Sequence, residues 1–265
     1  MFKTRLLSGI VLVAVALLTI ISGGYVLFFT LLGISLIGMQ ELYKVMKVRE
    51  DHFNALEIAG YLGAVIYYVL MSLDFEKYGM MGVIISFMMF MFVYVFTYPK
   101  FKAEQVMPAF FGVVYVAVML SFIYLTRNLP DGKFLVWLIF LCSWGCDTCA
   151  YCVGMLIGKH KMTPKLSPKK SWEGAIGGGL TTIAAGLALA PYIDGLNIIN
   201  AAVISVIVVI FGSFGDLIES MFKRCIEIKD SGHIMPGHGG VLDRLDSILF
   251  ALPVIFVYLA FVTVP

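Results

Sequence analysis

Charged side chains are scarce in this chain. Asp, Glu, Lys and Arg make up 14% of its 265 residues, against about 25% in a soluble domain. That shortage excludes an ordinary soluble globule and a charged disordered tail. Basic residues exceed acidic ones by only two, too few to suggest a polyanion bound over the whole surface, so a nucleic-acid-binding domain is excluded as well. Cysteine is sparse, at five residues, and no disulfide framework is indicated. Low-complexity segments and clear internal repeats are lacking, so an inverted-repeat transporter gets no support. What is abundant is apolar surface. Hydrophobic residues are 60% of the chain and the mean hydropathy is +0.95. That excess must face lipid, and an all-α polytopic integral membrane protein is expected.

A spanning helix needs about 20 mostly apolar residues. Nine runs meet this, near Leu6–Ser22, Tyr25–Leu42, Ala55–Leu73, Gly79–Tyr98, Met107–Leu125, Phe134–Ile157, Gly174–Tyr192, Ile198–Gly215 and Ile248–Val264. They are continuous, not alternating, which favours helices over a barrel. Gln40 and Glu41 make the second run the least regular. The first run has a basic start, Lys3 and Arg5, but no small-x-small cleavage site. It leads through Ser22, Gly23 and Gly24 into the second run, so the two are expected to form a retained hairpin. With nine spans and a cytoplasmic N-terminus, sixteen of the nineteen Lys and Arg fall on the cytoplasmic side, leaving Lys77, Arg127 and Lys133 outside. This is the bias of the positive-inside rule, and it predicts an inner-membrane protein with its polar segments in the cytoplasm. Residues 1–132 are expected to form about five N-terminal spans, and 133–265 a catalytic membrane region.

Two polar segments in the second region are too specific to be plain connectors: 158–174 and 215–246. The second carries Asp216, Glu219, Glu227, Asp230, Asp243 and Asp246. Asp216 and Glu219 are three apart, as are Asp243 and Asp246, so on a helix each pair shares a face. Carboxylates converging with Lys and Arg suit a hard cation such as Mg²⁺ that also holds a polyphosphate. Glu227 fits a solvated loop charge better. Asp243 and Asp246 lie at the mouth of the last span, where ionisable groups are costly and usually functional. Gly237, His238, Gly239 and Gly240 form a glycine-rich turn whose backbone can approach phosphate oxygens. His238 fits a phosphate contact, proton transfer or a structural hydrogen bond. In the first segment, Ser167, Lys169, Lys170 and Ser171 offer hydroxyls and ammonium groups just before a span. They suit helix capping, anion binding or headgroup anchoring.

Asp147 stands in the middle of an apolar run, where a carboxylate is a functional candidate by default. Cys142, Cys146, Cys149 and Cys152 surround it. The first three match the spacing of an iron–sulfur loop, but in a membrane helix they read as small packing residues. Gly174, Gly177, Gly178, Gly179 and Gly186 in the seventh run suit close helix contacts, within one chain or in a homodimer.

The segment 220–246 resembles the signature of the phosphatidate cytidylyltransferases, the CDP-diacylglycerol synthases. The resemblance rests on Ser220, Phe222, Lys223, Arg224, Lys229, Asp230, Gly232, Met235, Pro236, His238, Gly239, Gly240, Val241, Asp243, Arg244, Leu245 and Asp246. Met235 replaces the family's usual Leu, Ile or Phe, a conservative departure. Asp147 with Ala150 and Tyr151, Gly158 with Lys159, and the box Ser167 to Gly174 resemble further family motifs. The basic start is a weaker match, and residues 49–135 match only in hydropathy. The resemblance implies a reaction of CTP with phosphatidic acid that gives CDP-diacylglycerol and pyrophosphate, assisted by Mg²⁺, with or without a second, monovalent cation. Given this resemblance, Asp216, Asp243 and Asp246 are expected as metal ligands, and Asp230 as a further candidate of the same kind. Lys223, Arg224 and Arg244 would hold phosphates. Ser167, Lys169, Lys170, Ser171, Lys229, His238, Gly239 and Gly240 would bind substrate, and Asp147 would complete the site. The alternatives are another membrane lipid phosphotransferase or an ion-coupled transporter. This chain lacks the D-G-x2-A-R…G-x3-D-x3-D pattern of the CDP-alcohol phosphotransferases, and a transporter predicts charges near the midplane of several helices, whereas here they cluster in loops and at the expected cytoplasmic ends.

Overall fold

A computed structural model describes residues 2–49, 53–193, 196–225, 227–228, 231–232 and 239–263. Helix dominates it. The helices are α1 (Phe2–Ser22), α2 (Gly24–Val45), α3 (Ala55–Leu73), α4 (Phe75–Phe96), α5 (Ala103–Gly112), α6 (Met119–Arg127), α7 (Gly132–Ile157), α8 (Trp172–Leu189), α9 (Ile198–Cys225) and α10 (Leu242–Thr263). A π-helical segment, Val113–Val118, follows Pro108 of α5 and joins α5 and α6 into one spanning element, Ala103–Arg127. Among the described residues, eight helical elements are long and apolar enough to cross a membrane. With α1, all nine expected runs are helical. Local chemistry sets several starts. Asn54 caps α3 by accepting from the Glu57 amide at 3.1 Å, and Asp74 caps α4 by accepting from Lys77 at 3.2 Å.

Two boundaries differ from expectation in a way that matters. α9 does not stop near Gly215 but continues to Cys225. Its last turns are polar yet still helical, with Lys223 paired to Glu219 one turn earlier and basic residues at the C-terminal end of the helix dipole. At 28 residues it is about 42 Å long at 1.5 Å per residue, more than the roughly 30 Å of hydrocarbon it must cross. α10 begins at Leu242, not near Ile248, so Asp243 and Asp246 are helical. Within segment 158–174 a short antiparallel hairpin forms from β1 (Lys161–Thr163) and β2 (Ser167–Ser171), an addition that hydropathy does not announce.

The chain divides into two compact units. The first comprises Met1–Tyr124 and Ile226–Arg244. Its interior is tied by polar contacts between apolar helices, since no water is at hand to satisfy them. Tyr43 is fully buried and donates to the Ala109 carbonyl at 2.8 Å, while Tyr68 meets Ser35 and Tyr67 meets Ser121, both at 2.9 Å. The second comprises Leu125–Cys225 and Leu245–Pro265. There α7 and α8 touch backbone to backbone, because Gly174 and Gly178 leave no β-carbon against Ala150 and Cys146. The glycine stripe of α8 is therefore used inside one chain. All five cysteines are free thiols, and Cys142 and Cys146 are buried in the packing.

Candidate active site

In the second unit, four elements bring charged side chains together. Gly215 of α9 lies against the backbone of α10, so close that a β-carbon there would overlap the Asp246 carbonyl oxygen. That contact brings Asp216 into electrostatic reach of Asp246. Asp246 accepts from the Ser247 amide at 2.8 Å and also meets the Glu219 carboxyl group. The Ser247 hydroxyl lies 3.2 Å from Asp147 of α7 and 3.4 Å from Asp246. Asp147 in turn is within electrostatic reach of Asp216, Asp246 and Lys170. Asp147, Asp216 and Asp246, up to 99 residues apart in sequence, thus lie within electrostatic reach of one another.

Cations line the same cluster. Lys170 of β2 forms an ion pair with Asp216, and Lys223 donates to Glu219 at 2.6 Å. Arg224 donates to the Leu166 carbonyl at 3.3 Å, which ties the hairpin turn to the end of α9. The Trp172 amide closes the hairpin base on the His160 carbonyl at 2.9 Å. Lys169 is exposed on β2 beside these groups. Ser167 opens β2 opposite Thr163. Ser171 is buried, and its hydroxyl accepts from the Gly174 amide at 3.2 Å, so it caps α8. Glu173 accepts from the Lys159 and His160 amides at 3.2 Å and from the His160 ring at 2.5 Å, which secures the turn after α7.

The first unit holds the other end of the signature. Asp243 accepts from the Ser231 amide at 2.9 Å, the Ser231 hydroxyl at 3.0 Å and the Gly240 amide at 2.7 Å. Glu41 of α2 is buried beside it and accepts from the amides of Val241 and Leu242, both at 3.0 Å. The amides of Gly240, Val241 and Leu242 are therefore held by the protein's own carboxylates. Gly239 stands at φ 86°, a conformation that favours glycine. Arg244 is exposed, with its amide on the Val241 carbonyl. Asp230, Lys229 and His238 lie outside the described residues.

Asp147, Lys170, Asp216, Lys223 and Asp246, all candidates by sequence, lie together in the second unit. Glu41, Glu219 and Ser247 join the polar contacts without a role expected from sequence. For Glu41 the signal was present as an acid near the end of an apolar run. Carboxylate oxygens are the donors that Mg²⁺ prefers, and that ion is commonly held by one or two carboxylates together with substrate phosphates. Asp216 and Asp246 fit that requirement. Among the described residues, no three His, Cys, Asp or Glu side chains form a ready-made metal cage.

The carboxylate–lysine cluster thus belongs to an all-α chain whose helices are long and apolar enough to cross a membrane. The comparison with known families is more specific: residues 3–262 match the model of the cytidylyltransferase family, and the chain belongs to that family. Curated relatives named phosphatidate cytidylyltransferase occur in Staphylococcus haemolyticus and Staphylococcus epidermidis. Each is 32% identical over 263 residues, covering 97% of this chain and 98% of the relative. The relative of the same name in Staphylococcus aureus shows the same identity and coverage.

Proposed function

We propose that this chain joins CTP to phosphatidic acid, giving CDP-diacylglycerol and pyrophosphate in phospholipid biosynthesis. The observation that carries this is the full-length match to the phosphatidate cytidylyltransferases, with Asp147, Lys170, Asp216 and Asp246 gathered in one cluster. A phosphate oxygen of the lipid attacks the α-phosphorus of CTP. The bond from that phosphorus to the bridging oxygen breaks, and pyrophosphate leaves with the electron pair. The attacking phosphate is already ionised at neutral pH, so the site needs alignment and charge neutralisation more than a base. Lys170, Lys223 and Arg224 supply positive charge beside the carboxylates, with Lys169, Lys229 and Arg244 as further phosphate contacts. Asp216 and Asp246 would hold Mg²⁺, whose chemistry is to neutralise the triphosphate and polarise the attacked phosphorus. Asp243, whose Oδ2 accepts three hydrogen bonds, and Asp230, outside the described residues, keep the metal-ligand roles expected from the sequence as part of this proposal.

Ser167, Gly239, Gly240 and His238 remain substrate-contact candidates. Ser171 acts in the site through the hairpin and α8 that it joins. We place the site on the cytoplasmic face of the inner membrane, where CTP is available. The support is the positive-inside bias and the location of the cluster at the extended end of α9. A homodimer and a second, monovalent cation belong to the same proposal as stoichiometries to be measured.

The test is a substrate screen with the purified chain in phosphatidate-containing proteoliposomes. CTP with Mg²⁺ should give CDP-diacylglycerol, and leaving out either substrate should abolish it. Lipid product formed from a CDP-alcohol, or ion flux without nucleotide turnover, would contradict the proposal.

A further inference from the structure

The residue that most needs explaining is Glu41. It is 3% exposed near the end of a mostly apolar helix in which it is the one acid, and it is no part of the carboxylate cluster in the second unit. Burying a carboxylate is costly unless hydrogen bonds and fixed dipoles compensate it. Here they do. The residue before α10 is Val241, which has no side-chain acceptor with which to cap a helix. The first amides of α10 would be orphaned in an apolar setting. Glu41 reaches them from two hundred positions earlier in the chain, Oε1 to Val241 and Oε2 to Leu242. Its negative charge sits where the helix dipole favours it.

The clamp extends beyond capping. The Ser231 hydroxyl lies 3.4 Å from Glu41 Oε2 and 3.0 Å from Asp243 Oδ2, so one hydroxyl joins the two acids. A β-carbon at Gly232 or at Gly240 would overlap the Glu41 carboxylate. Two glycines of the signature are thus accounted for by one side chain that lies outside it.

We propose that Glu41 is a positioning residue of the cytidylyltransferase reaction. Its carboxylate, with Ser231 and Asp243, fixes the turn from Gly239 to Asp243 and so the first turn of α10, which carries Arg244, proposed above as a phosphate contact. It touches no reacting atom. This rests on the function proposed above, with Arg244 taken as a contact of the CTP phosphates, and makes Glu41 a residue that sets nucleotide affinity.

Glu41→Gln keeps the size of the side chain and removes one acceptor and the charge. Charged hydrogen bonds of this kind are worth enough that a loss of about tenfold or more is expected. That loss should appear as a raised KM for CTP with the KM for phosphatidate nearly unchanged. Amide exchange at Val241 and Leu242 should accelerate, while exchange in α3 and α4 stays as in the parent. Ser231→Ala, which removes only a hydroxyl, should move CTP affinity in the same direction by a few fold. It decides the matter if Glu41→Gln does not fold. Equal losses with neither KM moved would mean fewer active molecules and would overturn the proposal, as would wild-type CTP affinity in folded Ser231→Ala. A parent protein without CTP-dependent turnover would refute the substrate reading instead, and the amide-exchange contrast would then still decide the clamp.

Discussion

In the proposed reaction, Asp246 is the residue whose charge should matter most. It meets Glu219, shares a hydroxyl with Asp147 and stands in the field of Asp216. Asp246→Asn preserves shape and removes the charge that would hold a cation. Turnover should fall by at least about a hundredfold, the scale of losing one electrostatic contact in a transition state. Elution and thermal unfolding in detergent should stay as in the parent. Near-normal turnover would refute the metal role. Ser171 makes a contrasting case. Its hydroxyl is already bonded to the Gly174 amide, so Ser171→Ala should cost about 1 kcal/mol of stability, the value of a lost cap. A melting curve checks this. The charged members of the site were legible in the sequence for a physical reason: a carboxylate such as Asp147 inside an apolar run is expensive and stands out. Glu41 was legible only as an oddity. Its partners are backbone amides some two hundred residues away, and no residue pattern records an amide.

At the scale of elements, the nine apolar runs fixed the helices well, because about twenty apolar residues in lipid have no other way to satisfy their backbone. The ends were less legible. α9 runs ten residues past its apolar part, held by side-chain pairs such as Lys223 with Glu219, and hydropathy is blind to such pairs. The β1–β2 hairpin was hidden for the same reason, since Lys170 and Arg224 hold it by an ion pair and a carbonyl contact. Gly215 is where helix packing governs the site directly. A methyl group there would force α9 from α10 at Asp246. Gly215→Ala should therefore destabilise the chain by about 1–3 kcal/mol, as overpacking does. It should also lower turnover more than its stability loss explains. Thermal unfolding and activity at a temperature where the variant is folded would separate the two effects.

At the scale of the whole molecule, the scarcity of charge becomes informative through its placement. Three of nineteen basic residues are assigned to the outer side, and the polar helix ends and hairpin lie in the segments assigned to the inner side. An accessibility scan with single cysteines in a background lacking the native thiols should label position 169 only from the cytoplasm and position 133 only from outside. The opposite pattern would invert the topology.

The most direct test of the central claim follows the phosphorus atoms of CTP. The chain, in vesicles of phosphatidate, is given CTP labelled at the α-phosphorus or at the γ-phosphorus. Cytidylyl transfer predicts that α-label enters the lipid, that γ-label appears only in pyrophosphate, and that the two form in equal amounts. Label from the γ-position in the lipid, or no label in lipid from either, would contradict the account.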